Sequence, residues 1–384
     1  MKTKTNEIPL SGPRGRKDLI KLVNKANTDV DEKLSVLEET LGITLEPNID
    51  EKYYQYFTIE ATEDDTVVYF RQSSYAVGDG IAPLKVEVST DDGYTWREIT
   101  AAPAEDDVPG AEITTLSAGD KLLVRGNNEA YGYYSSSEDS SVENCNFWAD
   151  KSCYVYGNIM SLISRDNFAR LRKVKERAFS YFFSDFDEVL SPWVLSKEGE
   201  MLLLPATTLA KGCYECMFWG CTNLTTAPEL PATTLIDDCY LGMFSHCSSL
   251  TTAPKLPAIT LADFCYDNMF NLCTGLTVAP ELPATTMANH CYENMFSDCT
   301  GLTTVPELPA ITLVNACYEC MFYGCTSLNY IKAMFTTTPG AEYTQDWVFG
   351  VPQTGIFVKN SAATWDVTGV NGIPTGWTVE TADA

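Results

Sequence analysis

The chain has 384 residues, 45% of them apolar and 11% aromatic, enough for an extensive buried core and more than one domain. A formal charge of −26 argues against a nucleic-acid binder, because a phosphate backbone would be repelled. No stretch reaches the roughly 18 apolar residues of a membrane span, so no membrane insertion is expected.

The first 25 residues carry seven Lys or Arg against Glu7 and Asp18, a balance of +5 that leaves −31 for the rest. Residues 1–16 are polar and punctuated by Pro and Gly, which reads as a basic arm. They lack the apolar run of about 7–15 residues of a secretory signal, so synthesis in a cytoplasm is expected. From Leu19 to Leu41 the residues Leu19, Val23, Ala26, Val30, Leu34, Leu37 and Leu41 recur at spacings of three and four, which predicts a helix with a narrow apolar stripe. The spacing is close to a heptad seam with one stutter, so Leu19, Val23, Val30, Leu37 and Leu41 read as an anchoring or oligomerising stripe within 1–50. Docking on the body of the protein fits the stripe equally well.

Residues 51–160 contain "YYQYFTIEA", "DTVVYFRQ", "LKVEVST", "TWREIT" and "DKLLVRG", short β-branched or aromatic runs that predict a β-sandwich. Residues 161–203 are mixed in character and read as an N-terminal cap with degenerate repeats.

Five units of 26 residues then follow without insertion over 204–333, from "LPATTLAKGCYECMFWGCTNLTTAPE" to "LPAITLVNACYECMFYGCTSLNYIKA". A fixed period of this length predicts a solenoid in which each unit buries its apolar face on its neighbours. In every unit Cys, Tyr, Met, Phe and Cys stand at i, i+1, i+4, i+5 and i+8, as in Cys239, Tyr240, Met243, Phe244 and Cys247. That spacing predicts a short helix with this stripe inward and a changeable face outward. The flanking "LTTAPELPATTL" reads as extended. Residues 334–384 read as a C-terminal cap.

Ten of the fourteen cysteines thus fall into two core columns, while Cys216 and Cys320 stand at a variable position beside them. The C-x-x-C of Cys213 and Cys216 therefore reads as a coincidence of the repeat. It cannot share a zinc ion with Cys317 and Cys320, which lie four coils away, roughly 19 Å at about 4.8 Å per coil. If any disulfide forms, it is expected between Cys145 and Cys153.

The units resemble the BspA-like leucine-rich repeats of Bacteroides-type surface proteins, which also occur in virion proteins of phages, including crAss-like phages. The resemblance covers 204–333. Less specifically, "STDDGYTWREIT", "SAGDKLLVRG" and "GNIMSLISRDNF" look like the β-domain preceding such repeats, and "FVKNSAATWDVTGVNGIPTGWTVE" like their C-terminal cap. It implies a binding or adhesion protein, not an enzyme. The absence of an export signal and the distinct first 50 residues shift the expectation toward a virion component.

"STDDGYTW", residues 89–96, matches the Asp-box, a hairpin device in which Asp and Ser bind nearby backbone and Gly supplies the turn. One copy does not make a propeller. His246 and His290 lie in different units and predict no catalytic pair. No catalytic residue, metal ligand or cofactor is therefore expected. The candidate binding surface is the changeable face, with Trp219, Phe264, Leu272 and Tyr323 among the acids Asp238 and Glu293. The threonine columns, among them Thr207, Thr233 and Thr285, are a second possibility.

The expected fold class is therefore multidomain: an N-terminal helix, a β-sandwich, and an α/β leucine-rich-repeat solenoid with a C-terminal cap. The expected function is that of a phage head or tail fibre, located in the virion, with its N-terminus on a capsid or tail protein. It is expected to be a homo-oligomer, a trimer by analogy with other fibres, whose repeats bind host surface glycan or protein. The alternatives are a bacterial cell-surface adhesin, a glycan-active enzyme with its site in the β-domain, and a cytosolic scaffold.

Overall fold

The computed structural model describes residues 50–103, 109–135, 140–184 and 190–382. The chain divides into two compact units, Met1–Glu51 and Lys52–Ala384. The stripe residues Leu19, Val23, Val30, Leu37 and Leu41 lie outside the described residues.

The second unit begins with two mixed sheets. Neighbouring strands of the larger run Val194–Leu195, Cys153–Asn158, Phe57–Ala61, Lys121–Gly126, Lys85–Ser89 and Arg97–Thr100, with Leu202–Leu203 also paired to Cys153–Asn158. In the smaller, Thr66–Gln72 pairs with Cys145–Ala149, Ala102–Pro103 and Ala111–Leu116. The two meet through Phe57, Phe70 and Phe147, whose ring centroids are 5.9 Å (57–147) and 4.8 Å (70–147) apart.

Every residue of Phe57–Ala61 is buried, including Glu60. Burial raises the Glu60 carboxyl, but hydrogen bonds from Lys197 Nζ and Tyr156 Oη, all at 2.6 Å, outweigh it and hold the group below its ordinary value. Lys197 belongs to the segment that covers this strand, so the charge is paired where the chain folds back on itself.

Over 204–333 the chain forms turns joined by extended segments. The expected α/β leucine-rich-repeat solenoid and separate β-sandwich are corrected by this secondary structure, while the expected N-terminal helix lies outside the described residues. The only α-helix among the described residues is Ser74–Gly78, and the repeats contain none. The sheets are mixed, and the larger one passes beyond residue 160 to take in Val194–Leu195 and Leu202–Leu203 through parallel pairing. Within the repeats the regular strands are confined to Glu307–Leu308 and Tyr330–Ala333, and the other extended segments touch through isolated bridges such as Thr226↔Thr252.

The reason the stripe is not helical lies in its period. Cys, Met and Cys at i, i+4 and i+8 repeat every four residues, whereas an α-helix turns every 3.6 and would rotate the stripe off its face. Left-handed φ recurs every fourth residue, at Asp238, Gly242 and His246 in the second unit, and breaks any helix. Backbone donors then alternate. The N–H groups of Tyr214, Cys216 and Phe218 reach Cys239 O, Leu241 O and Met243 O of the next coil at 2.8–3.1 Å. Those of Cys213, Glu215 and Met217 bond back three residues within their own coil.

These crossed bonds place like residues of successive coils in register. Tyr214, Tyr240, Tyr266, Tyr292 and Tyr318 stack in order, with centroids 5.8–5.9 Å apart and planes within 7°. All ten column cysteines are 0% exposed. The thiols of Cys247, Cys273, Cys299 and Cys325 donate to Phe218 O, Phe244 O, Phe270 O and Phe296 O of the preceding coil at 3.0–3.1 Å. They are therefore inter-coil donors as well as filler.

Candidate functional site

The face selected from sequence lies on the outer side of these turns. Asp238, Phe264 and Leu272 occupy left-handed positions, with φ of 60°, 55° and 59°. Trp219, Glu293 and Tyr323 stand between such positions, and all six residues are partly buried.

Their free surface is smaller than the sequence suggests, because neighbouring coils cover them. Trp219 meets Tyr181 and His246 edge-on at 6.3 and 5.8 Å, and its indole N–H donates to His246 Nδ1 at 3.1 Å. That bond places the His246 proton on Nε2, and burial holds its pKa below the ordinary value, keeping the ring neutral. Phe264 stacks on His290 at 4.5 Å and Tyr323 on Phe349 at 4.8 Å. Asp238 pairs with Lys211 at 3.3 Å. The six are thus distributed over all five repeat units as separate contacts and are not gathered into one pocket.

The acids are coupled more closely. Asp267, Glu293 and Glu319 occupy the same position in three successive coils. Burial, then repulsion from Glu293, pushes Asp267 up to about 8, despite the hydrogen bond that Asn268 Nδ2 donates to it at 2.7 Å. Burial and the same neighbour raise Glu319. His290 lies 2.5 Å from Glu293 through Nδ1, and its Nε2 is 3.1 Å from Asn315 Nδ2. Asn315 must donate there, so Nδ1–H donates to Glu293.

Cys320 is the one cysteine not fully buried, and burial together with Glu319, Asp346 and Glu293 pushes its thiol up to about 11. Cys213, beside Cys216 in the C-x-x-C, is pushed up to about 12 by burial. Neither offers a thiolate at neutral pH. Among the described residues no group of three or more His, Cys, Asp or Glu is placed to hold a metal ion.

The threonine columns are open. Thr207, Thr208, Thr225, Thr226 and the threonines at the same positions of the later repeat units are exposed, and Ile259, Val278 and Ile311 within those columns are 61%, 62% and 47% exposed. Bridges such as Thr260↔Thr286 and Val278↔Thr304 hold successive members side by side. The sequence signal for them is the recurring Thr-Thr or Ile-Thr pair beside Leu, or Met287 in the fourth unit, which fixes which neighbours turn inward.

The Asp-box residues form a hairpin tip. Asp91 accepts from Thr95 N and Thr95 Oγ1 at 2.9 and 2.7 Å, Ser89 Oγ accepts from Gly93 N at 2.9 Å, and Trp96 Nε1 donates to Gly93 O at 3.0 Å. The two Thr95 bonds, with one that Ser89 Oγ donates at 2.7 Å, hold Asp91 down to about 2 and commit the carboxylate to the turn. Cys145 and Cys153, the expected disulfide pair if one forms, are free buried thiols.

Comparison with known protein families, curated proteins and solved structures finds no match to this chain. No helix among the described residues is long and apolar enough to cross a membrane.

Proposed function

We propose that the chain is a structural protein of a phage particle, a head or tail fibre, which presents its stacked units for multivalent binding to the surface of a host cell. The observation that carries this reading is the in-register repetition of the same exposed threonine positions in successive coils. Such a surface offers one weak contact many times over. Linked weak contacts become strong through effective concentration, and many copies on one particle multiply the effect. The stack is rigid because each coil shares backbone hydrogen bonds and stacked rings with the next. In this reading the basic first 25 residues attach to a capsid or tail protein, the chain forms a trimer, and the chain is not an enzyme.

Mass spectrometry of purified particles tests it: peptides of this chain should be recovered in fixed ratio to the capsid protein, and its gene should lie among capsid and tail genes. Recovery from a bacterial envelope and not from particles favours the second reading, a cell-surface adhesin built on the same repeated surface. Turnover of a glycan panel overturns both.

A further inference from the structure

The stacked coils end in a parallel ladder whose neighbouring strands run Glu307–Leu308, Tyr330–Ala333, Ile356–Asn360 and Thr378–Ala382. The two sides of the last coil finish differently. On the turn side the segment around Val370 closes the stack. Asp346 N donates to Asn371 Oδ1 at 2.8 Å, Val348 N to Val370 O at 3.3 Å, and the Trp347 indole N–H to Gly372 O at 2.8 Å. On the strand side Thr378–Ala382 pairs only with Ile356–Asn360 among the described residues, and its other edge is open.

That edge is the end of a core column. Val379 lies opposite Phe357, which lies opposite Ile331. Phe357 and Ile331 are 0% exposed, but Val379, at the same place in the ladder, is 45% exposed. Thr378 N–H donates inward, to Gly355 O at 2.9 Å. Backbone direction alternates along a strand, so Val379 and Thr381 turn their N–H and C=O toward the open edge. Natural sheets blunt such edges with Lys, Pro or a bulge. The strand "TVETA" has neither Lys nor Pro, and its pairing with Ile356–Asn360 runs without a register shift. Solenoids need a polar outer face on the terminal coil, yet here the strand side ends on valine.

We infer that Thr378–Ala382 is a self-association edge, which two copies of the chain pair antiparallel about a two-fold axis through Val379. The pattern of the strand selects this occupant and this register. Centred on Val379, the pairing sets valine against valine and exchanges both of their outward backbone hydrogen bonds, and Thr378 faces Glu380 of the second copy. Centred on Glu380, it would oppose two carboxylates, which is destabilising. A two-fold contact of this kind is closed, so it joins two chains and does not propagate. It is separate from the trimer of the proposed function and does not rest on that reading.

The full chain tests it. Five residues a side make a small contact, so sedimentation analysis should show a weak, concentration-dependent step that doubles the mass, whatever oligomer the chain otherwise forms. Val379→Asp, which sets two carboxylates at the axis, should weaken that step about tenfold or more. Val379 is exposed, so the variant should fold, and unchanged circular dichroism confirms it. Val379→Cys should cross-link two copies on mild oxidation, because directly opposed residues of an antiparallel pair lie within disulfide range. Glu380→Cys should not. Native thiols give little background, since thirteen of the fourteen are buried. No concentration-dependent step, a step that Val379→Asp leaves at wild-type strength, or cross-linking through Glu380→Cys in preference to Val379→Cys overturns the inference. So does an edge found paired with a strand of a different protein.

Discussion

Tyr214 and Tyr240 are 26 residues apart in sequence, yet their rings lie parallel, with centroids 5.9 Å apart and planes within 6°. The column extends past the repeats, since Phe179 stacks on Tyr214 at 5.9 Å and Tyr131 on Phe179 at 6.0 Å. Burial of these rings contributes to cohesion between coils.

Two substitutions separate the ring from its hydroxyl. Tyr266→Ala should destabilise the protein by about 3–5 kcal/mol, because it opens a cavity inside the stack. The hydroxyl of Tyr240 is buried without a hydrogen-bond partner, so Tyr240→Phe should leave stability unchanged or raise it by up to about 1 kcal/mol. Chemical denaturation measures both, and a large loss in Tyr240→Phe would show that the hydroxyl is satisfied in solution.

Thiol reagents should find the native protein almost silent. Thirteen of the fourteen cysteines are buried, and Cys320, pushed up to about 11, should react first and slowly. A titration in denaturant should release all fourteen. Rapid native labelling of Cys213 or Cys216 would contradict their burial in the stack.

Stability should depend on Asp267 in a direction opposite to that of an ordinary acid. Its folded pKa, about 8, stands above the unfolded value near 3.8, so the folded state holds the extra proton between these limits. The contribution is complete below about pH 4 and is lost progressively as pH rises from there through 8, by at most about 1.4 kcal/mol per unit. Thermal melts from pH 4 to 9 should show the decline in the wild type and a flatter profile in Asp267→Asn.

Gly242 tests the four-residue period. Its φ is +58°, and a Cβ there would lie 2.8 Å from Cys216 Sγ. Gly242→Ala should cost about 1–2 kcal/mol for the left-handed backbone alone. Asn268, the same position one coil on, has φ of 55°, and replacement by Gly should relieve that backbone but remove the hydrogen bond its side chain donates to Asp267 at 2.7 Å, so the net change should be smaller than at Gly242.

Part of this architecture is legible in the amino-acid order alone. The period of 26 follows from repetition, and the buried columns Cys239, Tyr240, Met243, Phe244 and Cys247 follow from what does not vary. The hairpin at Asp91 follows from its residues, because each bond is made within a few positions. The helical reading is not decidable locally. Over nine residues a stripe at i, i+4 and i+8 fits a helix nearly as well as a ribbon of four-residue turns, and the difference appears only when neighbouring carbonyls accept alternate N–H groups.

Periodicity and hydrophobicity are properties of the chain alone, and they dictate which side chains recur and which must be inside. Contacts between coils set the rest. Whether Trp219, Phe264 and Tyr323 face solvent depends on His246, His290 and Phe349 in the next coil. The stacking of Phe179 and Phe183 on Tyr214 and Phe218 adds a coil that sequence identity does not reveal. Backbone hydrogen bonding between coils requires matched geometry, not matched residues, so the stack continues where the repeat is degenerate.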